Sequence, residues 1–176
     1  MVDVGDKPVT ARRAVASAWV SLRPETVAAL RDGEIPKGDA LAVARIAGIQ
    51  GAKATSTLIP LCHPLPLDQV TVDITLGSDG AGILTEARTQ GRTGVEMEAL
   101  TAAATAGLAL IDMVKAVDRG AHIAWVRLER KEGGKSGLWI RQDDDAFAGS
   151  RTDGDTGTDG DTVAGGGGGA DRDAGA

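Results

Sequence analysis

Cysteine is nearly absent from this 176-residue chain: Cys62 stands alone, so no intramolecular disulfide can form, and a reducing cytoplasm is the expected compartment. Histidine is almost as scarce, with only His63 and His122. One Cys and two His, with neither HExxH nor CxxC spacing, leave little to build a metal site, and none is expected. No apolar run is expected to approach the ~18–20 residues of a membrane-spanning helix. The first residues, Met1-Val2-Asp3-Val4-Gly5-Asp6, lack a basic region followed by an apolar stretch, so no secretory signal is expected. Broad positive charge is missing too. The formal net charge is −6, but residues 143–176 carry nine Asp and two Arg, which leaves the remainder at +1. That balance argues against a nucleic-acid-binding surface, while a small anionic ligand needs only a few local Lys and Arg.

What is present divides into a body and a tail. Residues 143–176 are dominated by Gly, Asp and Thr and have too little apolar surface to offset their ordering entropy, so a disordered acidic tail is expected. Residues 1–142 carry regular patterns. Ala14, Ala16, Ala18, Val20 and Leu22 alternate with Val15, Ser17 and Trp19 as in a strand. Pro24 and Glu25 suit the first turn of a short helix that Gly33 would stop, and Asp39 is placed to cap a helix over residues 40–53. Residues 70–76 alternate, residues 77–80 read as a turn, and residues 82–89 pair back as a hairpin. The longest helix spans residues 94–117, and a last strand covers 121–130. The order β-α-β-β-α-β, with one added helix, predicts an α+β fold: a ferredoxin-like antiparallel sheet with helices on one face.

Several segments carry candidate chemistry. At 100° per residue the long helix gathers Glu98, Thr101, Thr105, Asp112 and Lys115 on one side. That stripe is either a solvated face with an i, i+3 ion pair between Asp112 and Lys115, or part of a ligand site. Glu96 and Glu98 point about 200° apart, so they cannot share one substrate atom. Leu61-Cys62-His63 sits between Pro60 and Pro64 in a rigid corner, where His63 either packs and caps or donates to a phosphate and shuttles a proton. Cys62 reads as a buried thiol rather than a nucleophile. Lys37 precedes a helix N-terminus, where an anion would be welcome; the alternative is an exposed turn lysine. Gly133-Gly134-Lys135-Ser136-Gly137 fails as a P-loop, because Glu129 stands where the first Gly belongs and no helix follows. It remains a Gly-rich segment flanked by Lys131 and Lys135, able to wrap a triphosphate or merely to lead into the tail.

Taken together in order, these segments resemble one family. Lys37-Gly38-Asp39, then Ala44-Arg45-Ile46-Ala47-Gly48-Ile49-Gln50, then Leu58-Ile59-Pro60-Leu61-Cys62-His63-Pro64 are similar to the signature of the cyclic pyranopterin monophosphate synthases, the C protein of molybdenum cofactor biosynthesis. Residues 93–102, 112–117 and 133–137 resemble its later blocks. The resemblance implies a lyase that converts 3′,8-cyclo-7,8-dihydro-GTP to cyclic pyranopterin monophosphate with release of pyrophosphate, without a cofactor. It implies catalytic roles for Lys37, Asp112 and Lys115. Substrate contacts fall to Leu61, Cys62, His63, Met97, Glu98, Lys131 and Lys135. It also implies a homo-oligomer, a hexamer built as a trimer of dimers, with active sites at dimer interfaces. Lys37, the Asp112–Lys115 pair and Lys131 lie on separate segments that one subunit need not bring together. A mixture of Lys37→Ala and Lys115→Ala chains is therefore expected to regain activity. A regulatory nucleotide-binding module would not need the full Lys37, Asp112 and Lys115 set, and a phosphate-ester hydrolase would want metal ligands.

Overall fold

The computed structural model describes residues 1–142; the expected acidic tail lies outside the described residues. The elements are β1 (Thr10–Ser21), α1 (Pro24–Asp32), α2 (Ala40–Lys53), α3 (Thr55–Leu58), β2 (Gln69–Leu76), β3 (Gly80–Gly91), α4 (Glu96–Val114), β4 (His122–Glu132) and β5 (Trp139–Ile140). The sheet order is β2-β3-β1-β4-β5 with every pairing antiparallel. Each crossover through helices therefore skips one strand, α1–α3 carrying the chain over β3 and α4 over β1. This is the ferredoxin-like arrangement expected from the element order, extended by the two-residue edge strand β5 and the one-turn α3, neither of which the pattern signalled.

Alternation decides which face of the sheet meets the helices. Ala14, Ala16, Ala18 and Val20 of β1 are buried, and the register sets Ala14 against Ala87, Ala16 against Thr85 and Ala18 against Ile83, also buried. Leu110, Ala103, Ala99 and Val114 of α4 join the same core. Among the described residues the opposite face has no helix. It carries ion pairs instead, Arg13 to Glu86 (2.5 Å) and Glu132 (2.8 Å), Arg130 to Glu132 (2.6 Å) and Arg127 to Glu129 (2.7 Å).

The local signals explain the ends of the helices. Gly33, left-handed at φ 74°, ends α1. The Asp39 carboxylate accepts from Ala42 N at 2.9 Å and starts α2. Helix α2 runs antiparallel to α4 at close approach. A Cβ on Gly51 would lie 2.7 Å from Thr105 Cβ, and one on Gly48 would lie 3.0 Å from Ala102 O, so only glycine lets the two backbones come this near. The Thr105 side chain therefore packs against α2 and interrupts the polar stripe of α4 near its middle.

One expectation needs correcting. α4 is 19 residues long and apolar enough, by length and composition, to cross a membrane. Half of it is buried against the sheet and α2, which accounts for its apolar character as that of a core helix.

Candidate functional site

Two clusters of functional side chains stand at opposite ends of α4. At its C-terminal end the antiparallel packing of α2 brings the turn before α2 beside the last turn of α4. Ile35 is buried and Gly38 N donates to Ile35 O (2.9 Å), which fixes that turn. Lys37 Nζ then donates to Asp112 Oδ2 and to the Asp112 carbonyl, each at 2.8 Å. Lys115 Nζ reaches Asp112 Oδ1 at 2.7 Å. The hydrogen bond from Lys115, followed by that from Lys37, holds the Asp112 carboxyl down at about 2. Two ammonium groups thus share one permanently ionised carboxylate on an open surface, ready to meet an anion, and the last turn of α4 favours their charge. Lys37 and the Asp112–Lys115 pair do converge within one chain, against the expectation that they need not.

At the N-terminal end, Leu61, Cys62, His63, Met97 and Glu98 line one cavity of about 280 Å³, together with Val2, Val4, Lys7 and Glu96. Cys62 N donates to Ile59 O at 3.1 Å, closing the corner that places His63. Glu98 is buried at 4% exposure. Burial pushes its carboxyl up, and the neighbouring Glu96 charge adds to the shift. Burial also raises the Cys62 thiol, with Glu98 again contributing, so Cys62 is a thiol and not a nucleophilic thiolate. Glu96 and Glu98 both border the cavity although they diverge on the helix, because α4 begins at Glu96 and the two residues flank its N-terminal mouth. A buried carboxyl lining the same cavity as a histidine is an arrangement suited to moving protons.

Lys131 and Lys135 join this end. Lys131 Nζ lies 3.2 Å from Glu96 Oε1. The segment after β4 closes in a turn, Gly137 N to Gly134 O at 3.2 Å, and presents Lys135 to a second cavity of about 410 Å³. Lys7, Arg12 and Arg92 line it as well, and it shares Lys7, Thr93, Gly94 and Glu96 with the first. Four cations around one carboxylate make this cavity fit for a polyanion. Sequence reasoning missed Lys7, Arg12 and Arg92. The register pairs Arg12 with Thr89, and Arg12 donates to Gly91 O and Arg92 O at 3.4 Å, which sets it beside Arg92.

A groove of about 810 Å³ lies elsewhere, between the start of α1 and the loop into β4. Its buried Asp118 accepts from Arg23 N (2.9 Å), Thr26 Oγ1 (3.0 Å) and Gly120 N (3.1 Å). Those bonds satisfy the carboxylate and tie α1 to the end of α4, a structural task. Among the described residues no three His, Cys, Asp or Glu side chains converge as metal ligands would.

Glu98 and Asp112 are fourteen residues apart on α4, which at 1.5 Å per residue separates the two clusters by about 21 Å along the axis. One chain therefore holds two separate clusters rather than one pocket.

The model of the MoaC family matches residues 1–134. A cyclic pyranopterin monophosphate synthase of Thermomicrobium roseum is 57% identical over 148 residues, covering 83% of this chain and 89% of that protein. Those of Streptomyces avermitilis and Cereibacter sphaeroides are 59% and 55% identical, over 80% and 78% of this chain and 83% and 87% of theirs. With the family model covering most of its length and relatives this similar, the chain belongs to the MoaC family.

Proposed function

We propose that the chain is a lyase that converts 3′,8-cyclo-7,8-dihydro-GTP to cyclic pyranopterin monophosphate and pyrophosphate. The observation that carries the reading is the convergence of Lys37, Asp112 and Lys115 within 2.8 Å contacts, in a member of a family whose relatives bear that activity in their names. The reaction breaks the C8–N9 bond of the former purine, closes a pyrazine ring and forms a cyclic phosphate as pyrophosphate leaves. It is a rearrangement without net oxidation, so it needs proton donors and acceptors and charge stabilisation, and no cofactor.

The residues divide these tasks. Lys115 and Lys37 act as acid and base, held by Asp112, whose depressed carboxyl keeps both lysines in place through the working pH range. Glu98 and His63 serve the ring system from the other half-site, with Leu61, Cys62 and Met97 forming its walls. Lys131 and Lys135, with Lys7, Arg12 and Arg92, hold the triphosphate and stabilise the departing pyrophosphate.

Half-sites ~21 Å apart on one helix, by its rise per residue, support a homo-oligomer in which each active site takes one cluster from each of two chains. A trimer of such dimers is the assembly the family resemblance implies. The catalytic domain is residues 1–142, with residues 143–176 a passive tail, and the cytoplasm is the compartment that suits a lone thiol. Incubation with cyclised GTP tests the function: pyranopterin and pyrophosphate should appear together, and neither appearing would reject it.

A further inference from the structure

Two glycines of the segment after β4 lie where a side chain has no room. Gly133 has φ 96° and Gly134 has φ 69°, both in the left-handed region. A Cβ on Gly133 would overlap Ala11 O and lie 3.2 Å from the Ala11 carbonyl carbon, so this glycine lets the segment lie against the backbone of β1. Gly134 differs. The three atoms nearest a Cβ built there all belong to the Arg12 guanidinium: it would overlap Nη1, at 2.5 Å from Cζ and 2.8 Å from Nη2. The Arg12 guanidinium thus fills the place that a side chain at residue 134 would take. Its other side faces the end of β3, where Nε donates to Gly91 O and Nη2 to Arg92 O, each at 3.4 Å. Bonds of that length are weak, and a long side chain loses much rotamer freedom when it is fixed, so they alone do not hold it. Packing on Gly134 supplies the second side.

We propose that Gly134 is a positioning residue: its missing side chain seats the Arg12 guanidinium for the triphosphate. The inference rests on the reading above that the cavity of about 410 Å³ takes the triphosphate, and adds what sets one of its cations. A guanidinium grips phosphate through N–H groups whose directions its plane fixes, so a small displacement loses contacts that a compact ammonium would keep. Gly134 also couples Arg12 to Lys135. Its carbonyl accepts from Gly137 N and closes the turn that carries Lys135 to the same cavity. The glycines of this segment therefore do more than free its backbone to wrap an anion. One docks the segment on β1, and the next backs an arginine. An alanine at residue 134 would push the flexible end of Arg12 rather than the backbone, so the fold survives while the cavity loses a cation.

The test uses the full chain and inorganic tripolyphosphate, whose binding is followed by calorimetry without turnover. Gly134→Ala should keep its far-UV circular dichroism and weaken tripolyphosphate binding by about tenfold or more, the loss expected for one charge-assisted contact. Arg12→Ala should weaken it by a similar factor. Added to Arg12→Ala, Gly134→Ala should cost less than about twofold more, because the group it displaces is already gone. Gly137→Ala controls for backbone strain: Gly137 is also left-handed, at φ 62°, but a Cβ there meets open space. Its effect should be the same with and without Arg12. The positioning role is overturned if the losses from Gly134→Ala and Arg12→Ala simply multiply, or if Gly134→Ala behaves as Gly137→Ala does in both backgrounds. A Gly134→Ala protein without native dichroism overturns it too, since the clash would then reach beyond Arg12. Undiminished binding by Arg12→Ala rejects the triphosphate reading of Arg12 itself, and this inference with it.

Discussion

Co-expression of two inactive chains has a definite yield if each site takes one cluster from each chain. Consider Lys115→Ala, which breaks the cluster at the C-terminal end of α4, with His63→Ala, which breaks the cavity at its N-terminal end. A site is intact only when its cationic cluster comes from the His63→Ala chain and its cavity from the Lys115→Ala chain. With equal, random assembly each condition is met half the time, so about one quarter of the wild-type activity returns per total site. The pair Lys37→Ala and Lys115→Ala behaves differently. Both lysines bind the same Asp112 within one chain. No mixed site then holds both, and activity stays at the level of the parents. This reverses the sequence expectation for that pair, which treated the two lysines as belonging to different chains. The assay is pyranopterin formation by the unfractionated co-expressed mixture, with a different tag on each chain to establish equal amounts. Equal recovery in both pairs, or none in either, would refute the division of the site.

Three further outcomes follow from the geometry. Gly51→Ala should destabilise: overpacking against Thr105 costs about 1–3 kcal/mol, and the better helix propensity of Ala returns only about 1. The net effect should be a Tm lower by roughly 3–6 °C, and an unchanged or higher Tm would contradict the close approach of α2 and α4. Glu98→Gln should raise Tm at pH 7. The native carboxyl, raised by burial, binds more protons than the unfolded one, so its contribution to stability falls as pH rises above the unfolded value of about 4.3. The gain should fade below that pH, and a pH-independent difference would contradict the shift. Removal of residues 143–176 should leave turnover and Tm unchanged, because a Gly- and Asp-rich composition cannot bury a core of its own; a large fall in Tm would contradict that.

Local chemistry was legible in the sequence where it acts locally. Asp39 capped α2 where its side chain allowed, residues 40–53 formed the helix their composition favours, and the alternation at Ala14–Val20 named the buried face. Pairing and packing were not legible in the same way. β5 exists because Trp139 meets Lys131, a partner that no two-residue pattern announces. Thr105 was placed off the sheet, but angular position cannot tell that a glycine-bearing helix packs on its side chain. The meeting of Lys37 with Asp112 needed the antiparallel packing of α2 on α4, and that of Arg12 with Arg92 needed the β1–β3 register. Family-like blocks pointed to the residues of both clusters, yet not that α4 holds the two clusters at its opposite ends.

The most direct test of the central claim is a single-turnover incubation of the purified protein with enzymatically generated 3′,8-cyclo-7,8-dihydro-GTP, following pterin and pyrophosphate together. The account predicts one pyrophosphate for each cyclic pyranopterin monophosphate, and less than a tenth of that rate from folded Lys115→Ala, a loss of more than about 1.4 kcal/mol of transition-state stabilisation. Pyrophosphate without pterin, or a Lys115→Ala protein that keeps its rate, would contradict it.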